Sequence, residues 1–96
     1  GVPPHLSVAE IEQAMLAVAG VREVHDLHVW TLTSGRDAMS AHVFVSAPGE
    51  SDRILRALHD VLHTRFGIEH TTIQMETQAL VRIGAPSATR PEPGEG

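Results

Sequence analysis

The densest chemistry in the sequence lies in His25-Asp26-Leu27-His28-Val29-Trp30, with His42 in the apolar run that follows. Two further groups stand out, Glu69-His70 followed by Glu76, and the pair His59-x-x-x-His63. Imidazole and carboxylate together form a borderline-hard N/O donor supply, suited to zinc and its first-row neighbours rather than to thiophilic metals. The chain has 7 His and 12 Asp+Glu but no Cys, which excludes disulfide frameworks, thiolate nucleophiles, Fe–S clusters and Cys-type zinc fingers. No Glu of the HExxH kind lies between His59 and His63, and there is no Gly-rich phosphate loop, GxSxG elbow or carboxylate dyad. No enzyme activity is expected.

The remaining composition narrows the partners. All 7 basic residues are Arg, the net charge is -5, and only Trp30, Phe44 and Phe66 are aromatic. A nucleic-acid reader needs a basic face or stacking aromatics, so nucleic acid is not expected. Protonation of all the histidines would reverse the sign of the charge, so acid and metal both act on it. No apolar run reaches the length of a membrane span and no signal peptide is visible. With 96 residues the chain can form one small domain of modest stability, which self-association would help. Beginning at Gly1 without an initiator Met, it reads as a domain excised from something longer.

The elements that position these residues follow from periodicity. Residues 1–6 carry Pro3 and Pro4 and read as a linker, with His5 free within it. Ser7-x-x-Glu10 is a capping box opening a helix over about residues 8 to 19, stopped by Gly20. Val21 to Leu32 and Ala38 to Ser46 read as a β-hairpin with a turn at Ser34 to Asp37. Ser51-Asp52 caps a second helix, with Ile54, Leu58, Leu62 and Phe66 on its apolar face and Gly67 closing it. A third strand runs from Ile68 to Thr77, with a continuation to Ile83 open. Residues 84–96 have nothing to bury and read as a disordered tail, leaving 7–83 as the domain. The order α-β-β-α-β predicts an α+β, ferredoxin-like fold lacking its first strand, a three-stranded mixed sheet with two helices on one face. The other face must be wet or paired.

Strand alternation sets His28 and Trp30 on one side and His25, Leu27 and Val29 on the other, unless a bulge near Asp26 alters the register. A turn centred on Gly35-Arg36 opposes Asp37 to Ser34 and places His42 near Val29. His42 then approaches His28 across the ladder, or His25 on the diagonal if the register shifts. Both options stay open, as does a structural role in which His28 and His42 simply bond to backbone. Glu69-His70 and Glu76 could add ligands from the third strand, or form a solvated strand start. His59 and His63 lie about 100° and 140° from the Leu58 direction, on a solvated flank where a bound ion would be adventitious or intermolecular.

From His25-Asp26-Leu27-His28-Val29-Trp30-Thr31-Leu32-Thr33-Ser34-Gly35, through Ser40-Ala41-His42-Val43, to Phe66-Gly67-Ile68-Glu69-His70-Thr71-Thr72-Ile73-Gln74-Met75-Glu76, the sequence resembles the cytoplasmic C-terminal domain of cation diffusion facilitator transporters. The leading Gly1-Val2-Pro3-Pro4 resembles the junction after their last transmembrane helix, and bacterial zinc-efflux members are the nearest in kind. The resemblance implies a metallochaperone-like fold that forms a two-fold homodimer at the cytoplasmic side of the inner membrane, tethered to its own transmembrane domain. It also implies Zn2+, or Cd2+, Co2+ or a related ion, bound near the subunit interface, drawing two domains together and regulating proton-coupled efflux. The matching ligand positions are His25, His42, Glu76 or Gln74, and a residue beside Glu69 or His70. Gln74 and Asp52 stand where some members have His, so Glu76 must serve on the last strand while Asp52 can still ligate. The resulting order of ligands is His42, His25, Glu76, His70, then Asp52 and His28. Repulsion between two acidic domains is what a bound cation would relieve. The competing readings are a free-standing soluble zinc metallochaperone, against which the missing Cys pair argues, and a plain dimerisation module with structural histidines.

Overall fold

In the computed structural model, which describes residues 1–77, Ser7 opens the first helix, its Oγ accepting from the Glu10 N–H at 3.2 Å. This helix, α1 (Val8–Leu16), buries Ile11, Ala14 and Met15. It stops earlier than Gly20 suggests. The Ala17 N–H donates to the Gln13 carbonyl and the Val18 N–H to the Met15 carbonyl, and the chain then turns through Gly20 (φ 97°) into β1 (Val21–Thr31). The strand β2 (Asp37–Val45) follows, then α2 (Ser51–Phe66) and β3 (His70–Thr77). The expected Ser51-Asp52 cap is replaced by backbone. A single 3-10 turn, Pro48–Glu50, precedes the helix, and Ser51 is already helical. Proline at the start of that turn loses no hydrogen bond, because the first amides of a helix have no intrahelical acceptor. Gly67 (φ 67°) ends α2 in the left-handed conformation, and Ile68, 1% exposed, drops into the core.

The sheet order is β1-β2-β3, with β1 and β2 antiparallel and β2 and β3 parallel across the α2 connection. This is the expected α+β fold with a three-stranded mixed sheet. One cluster joins Ile11 and Met15 of α1 and Ile54, Leu58 and Leu62 of α2 to Val24, Val29, Met39, Ala41, Val43 and Val45 of the sheet. The helices therefore cover one face. Each fully buried Leu or Ile in such a cluster contributes about 1.5–3 kcal/mol of burial free energy. Among the described residues, no helix is long and apolar enough to cross a membrane. The possible strand continuation to Ile83 and the tail at 84–96 lie outside the described residues.

The hairpin register differs from the expected one. Asp37 pairs with Thr31, not Ser34, and His42 pairs with His25, not Val29. The connection is wider than a tight turn: the Leu32 N–H donates to the Arg36 carbonyl at 2.8 Å and the Gly35 N–H to the Leu32 carbonyl at 2.9 Å. A wider loop moves every pair along the ladder.

His5, expected to be free, is instead engaged. Pro3 is buried, Leu6 packs on the core, and His5 Nε2 lies 2.6 Å from Asp37 Oδ2. Thr31 Oγ1 donates to the other carboxylate oxygen at 2.9 Å. Asp37 is the one charged residue in the described core, at 8% exposure, and these two partners satisfy it. The bond from His5, and next that from Thr31, holds its carboxyl below the usual carboxylate range, against the opposing effect of burial.

Two predictions follow from these contacts. A Cβ at Gly20 would sit 2.7 Å from Ile54 Cδ1 in a backbone conformation that L-residues avoid. Gly20→Ala is expected to destabilise by about 1–3 kcal/mol in urea unfolding, the usual cost of such local strain. Because the carboxyl of Asp37 is lowered in the folded state, its ionisation stabilises the fold above the unfolded value of 3.8 and that stability is lost as pH falls through the folded value. Asp37→Asn should therefore melt below the parent at neutral pH, with the gap closing only below about pH 4 as the carboxyl of the parent protonates.

Candidate metal centre

The helix-free face of the sheet is built from the residues that alternate away from the core: Ala38, Ser40, His42 and Phe44 of β2. Residues directly opposite on neighbouring strands share a face. The parallel ladder therefore sets Glu76 beside Phe44, Gln74 beside His42, Thr72 beside Ser40 and His70 beside Ala38. On the antiparallel side, Glu23, His25, His28 and Trp30 pair with Phe44, His42, Ser40 and Ala38.

His25 and His28 share this face only because of a β-bulge. Between the pairs His25–His42 and His28–Ser40, β1 carries two residues and β2 one, and Asp26 takes φ 54° to absorb the extra residue. Aspartate tolerates this left-handed conformation better than most side chains. Simple alternation, which separated the two histidines, is thus corrected by the bulge that the sequence allowed for at Asp26.

The donors are organised in couples. His25 Nε2 lies 2.7 Å from Glu23 Oε1, and its ring is tilted over Phe44 at a centroid distance of 5.1 Å. This cover leaves Phe44 only 8% exposed on a face with no helix over it. His42 Nδ1 lies 3.4 Å from Glu76 Oε2, and the Gln74 amide donates to that same oxygen at 2.9 Å. Gln74 therefore supports the carboxylate rather than offering a donor of its own. Cross-strand pairing brings the backbones of His25 and His42 within about 5.5 Å of each other. The carboxylates of Glu23 and Glu76 flank them from the next row.

Glu23 was not among the sequence candidates. Its signal was its position two residues before His25 on one strand, which puts both on the same face. His28 lines a concavity of about 310 Å³ with Asp26, Ser40, His42, Thr72 and Gln74, one row from His42. His70, the first residue of β3, is six positions from Glu76, a span of about 20 Å along a strand. Its neighbour Glu69 is engaged by Arg36 at 3.2 Å. Asp52 lies exposed in the first turn of α2, and no hydrogen bond or ion pair joins it to His42 or Glu76.

Among the described residues, no three His, Asp or Glu side chains converge on a point that would hold an ion. Zinc takes three or four protein ligands. Each chain instead offers His25 with Glu23 and His42 with Glu76 side by side. The donor chemistry fits a divalent first-row ion, and the number of donors converging in one chain falls short.

The chain is similar to known cation-efflux proteins. Residues 3–78 match the family model described as Cation efflux protein, cytoplasmic domain. The chain is 41% identical over 83 residues to the cadmium, cobalt and zinc/H(+)-K(+) antiporter of Bacillus subtilis, covering 82% of this chain and 26% of that protein. A probable zinc transporter protein of Dictyostelium discoideum is 38% identical over 93 residues, 97% of this chain and 17% of its own length. The chain thus spans about a quarter or less of the length of such relatives. Among solved structures, the metal-bound C-terminal domain of the CzcD transporter from Cupriavidus metallidurans superposes with a TM-score of 0.70 at 39% identity, over 74% of this chain and 99% of that one. With a family match over most of its length and the α-β-β-α-β fold in place, the chain belongs to the cation efflux protein family, whose cytoplasmic domain it represents.

Proposed function

We propose that this chain is the regulatory and dimerisation domain of a zinc or related divalent-cation exporter, placed at the cytoplasmic side of a bacterial inner membrane and tethered to its own transmembrane part. Two copies pair as a homodimer and bind Zn2+ near their interface, and closure of the pair regulates efflux. One observation carries this reading: His25 and His42 are paired across the helix-free face, each with a carboxylate at its side.

The donor count supports a shared site. His42, His25 and Glu76 are the primary ligands, with Glu23 the adjacent carboxylate. A second copy facing the same surface supplies the donors that one chain lacks. His70, Asp52 and His28 stand outside the cluster and rank below it. A bound Zn2+ would supply two positive charges and a demand for tetrahedral N/O coordination. The acidic protomers, each of net charge -5, repel one another when apart, and their Glu23 and Glu76 carboxylates face that repulsion most directly. Imidazole and carboxylate without thiolate give an exchangeable site, as regulation requires. The same ligands release a cation as the imidazoles protonate, so affinity falls towards acid pH. The metal-bound state of the CzcD domain and the zinc, cadmium and cobalt named for the Bacillus relative support this ligand class. No catalytic role is proposed.

The test is a zinc titration of the chain by calorimetry, with compaction followed by small-angle scattering. Binding with a reduced radius of gyration of the dimer is expected. His42→Ala with Glu76→Ala should abolish the compaction and weaken binding by more than about a hundredfold, since even groups supporting a ligand cost ten- to a hundredfold. No binding below millimolar zinc, with a dimer of unchanged shape and melting temperature, would leave a plain dimerisation module. Normal compaction of the double variant would show that the ligands are wrongly assigned.

A further inference from the structure

The helix layer carries a second group of donors that the sheet-face reading does not use. In α2, Ile54, Leu58 and Leu62 are fully buried, which fixes the direction of the remaining side chains. His59 and His63 lie one turn apart on the flank away from that stripe, and both are exposed. Residues four apart on a helix have Cβ atoms about 5–6 Å from each other, a separation at which two imidazoles can meet one ion. No rearrangement of backbone is needed.

Three features favour a cation at this pair. His5, His25 and His42 are each engaged by a carboxylate, whereas the side chains of His59 and His63, like those of His28 and His70, have no hydrogen-bond or ion-pair partner among the described residues. Their nitrogens are therefore open to an incoming ion. His63 also lies in the last turn of α2, where the negative end of the helix dipole favours a cation. The charged neighbours nearly balance: Arg56 is three residues before His59, and Asp60 is three residues before His63, so the repulsion of one is offset by the attraction of the other. Arg65 is directed elsewhere, over the Phe66 ring at 5.1 Å.

We infer that His59 and His63 form a second, surface divalent-cation site, a two-imidazole chelate separate from the sheet-face donors. With two neutral nitrogen ligands and the remaining coordination positions left to water, it takes exchangeable ions in the order of their intrinsic affinity for imidazole, Cu2+ ahead of Ni2+ and Zn2+. It does not depend on the dimer, because both ligands come from one helix.

The test uses the paramagnetic ion Cu2+ alone, added to the 96-residue chain while backbone amide signals are followed by NMR. Broadening centred on residues 59–63 is expected at less than equimolar Cu2+, both in the parent and in His42→Ala/Glu76→Ala, which removes the sheet-face donors. His59→Ala and His63→Ala should each weaken binding at α2 by about a hundredfold, the gain that a second tethered ligand brings. Both replacements are at exposed positions and favour helix, so the fold is retained. Broadening at α2 that survives undiminished in both single variants would overturn the site, as would its absence from the parent at equimolar Cu2+. Failure of the sheet-face reading alone would leave the α2 signal intact.

Discussion

The extra residue in β1 governs which imidazoles this domain can use together. A strand presents alternate side chains to opposite faces, so His25 and His28, three apart, should look in opposite directions. Asp26 in the left-handed conformation removes one step from that alternation. Val24 and Val29 stay in the core, Leu27 packs against it, and both histidines emerge on the other side. The apolar core is therefore what enforces the bulge: without it, one of those valines would have to leave the helices and one of the histidines would have to enter.

The third strand depends on a different constraint. Glu76 reaches His42 only if β3 is aligned in parallel with β2, and a parallel neighbour needs a crossover element between the strands. The helix α2 provides it, and its end fixes the register. Gly67 turns the chain, Ile68 anchors it in the core, and the Glu69 N–H donates to the Asp37 carbonyl at 3.2 Å. That bond starts the ladder one residue before His70 pairs with Ala38. Asp37 thus sits at a junction, with its carbonyl setting β3 and its carboxylate holding His5 and Thr31. The N-terminal segment and the start of β3 are therefore tied to the same end of the sheet, the end away from Glu76.

Much of this was legible in the sequence, for identifiable reasons. Gly67 and the Ile54-Leu58-Leu62 spacing marked α2, and the Ser7-x-x-Glu10 pattern marked the start of α1, because capping and helical burial are local. The helix-free face of the sheet was also legible from the two-helices-on-one-face architecture as one that must be wet or paired. The pairing of His25 with His42 was not. It depends on loop width and on one backbone torsion at Asp26, and neither is written in hydrophobic pattern. His5 was misread for a similar reason: its partner is 32 residues away, and Pro3 and Pro4 signal a turn without saying where the turn docks. Glu23 was overlooked because a carboxylate among alternating polar positions looks like any solvated strand residue until its histidine is placed.

The two donor groups differ in what they ask of a cation. On the sheet face, each imidazole already has a carboxylate within 2.7 or 3.4 Å, so an incoming ion must replace those contacts but gains two negative charges. On α2, nothing has to be displaced, but the ligands are neutral and only two. The first arrangement suits a charged ion that gathers several mixed N/O donors, which in the proposed homodimer a facing protomer would add to. The second responds to affinity for imidazole alone. Without an ion, the sheet face already has an arrangement of its own, with Glu23–His25 and Glu76–His42 closed on themselves.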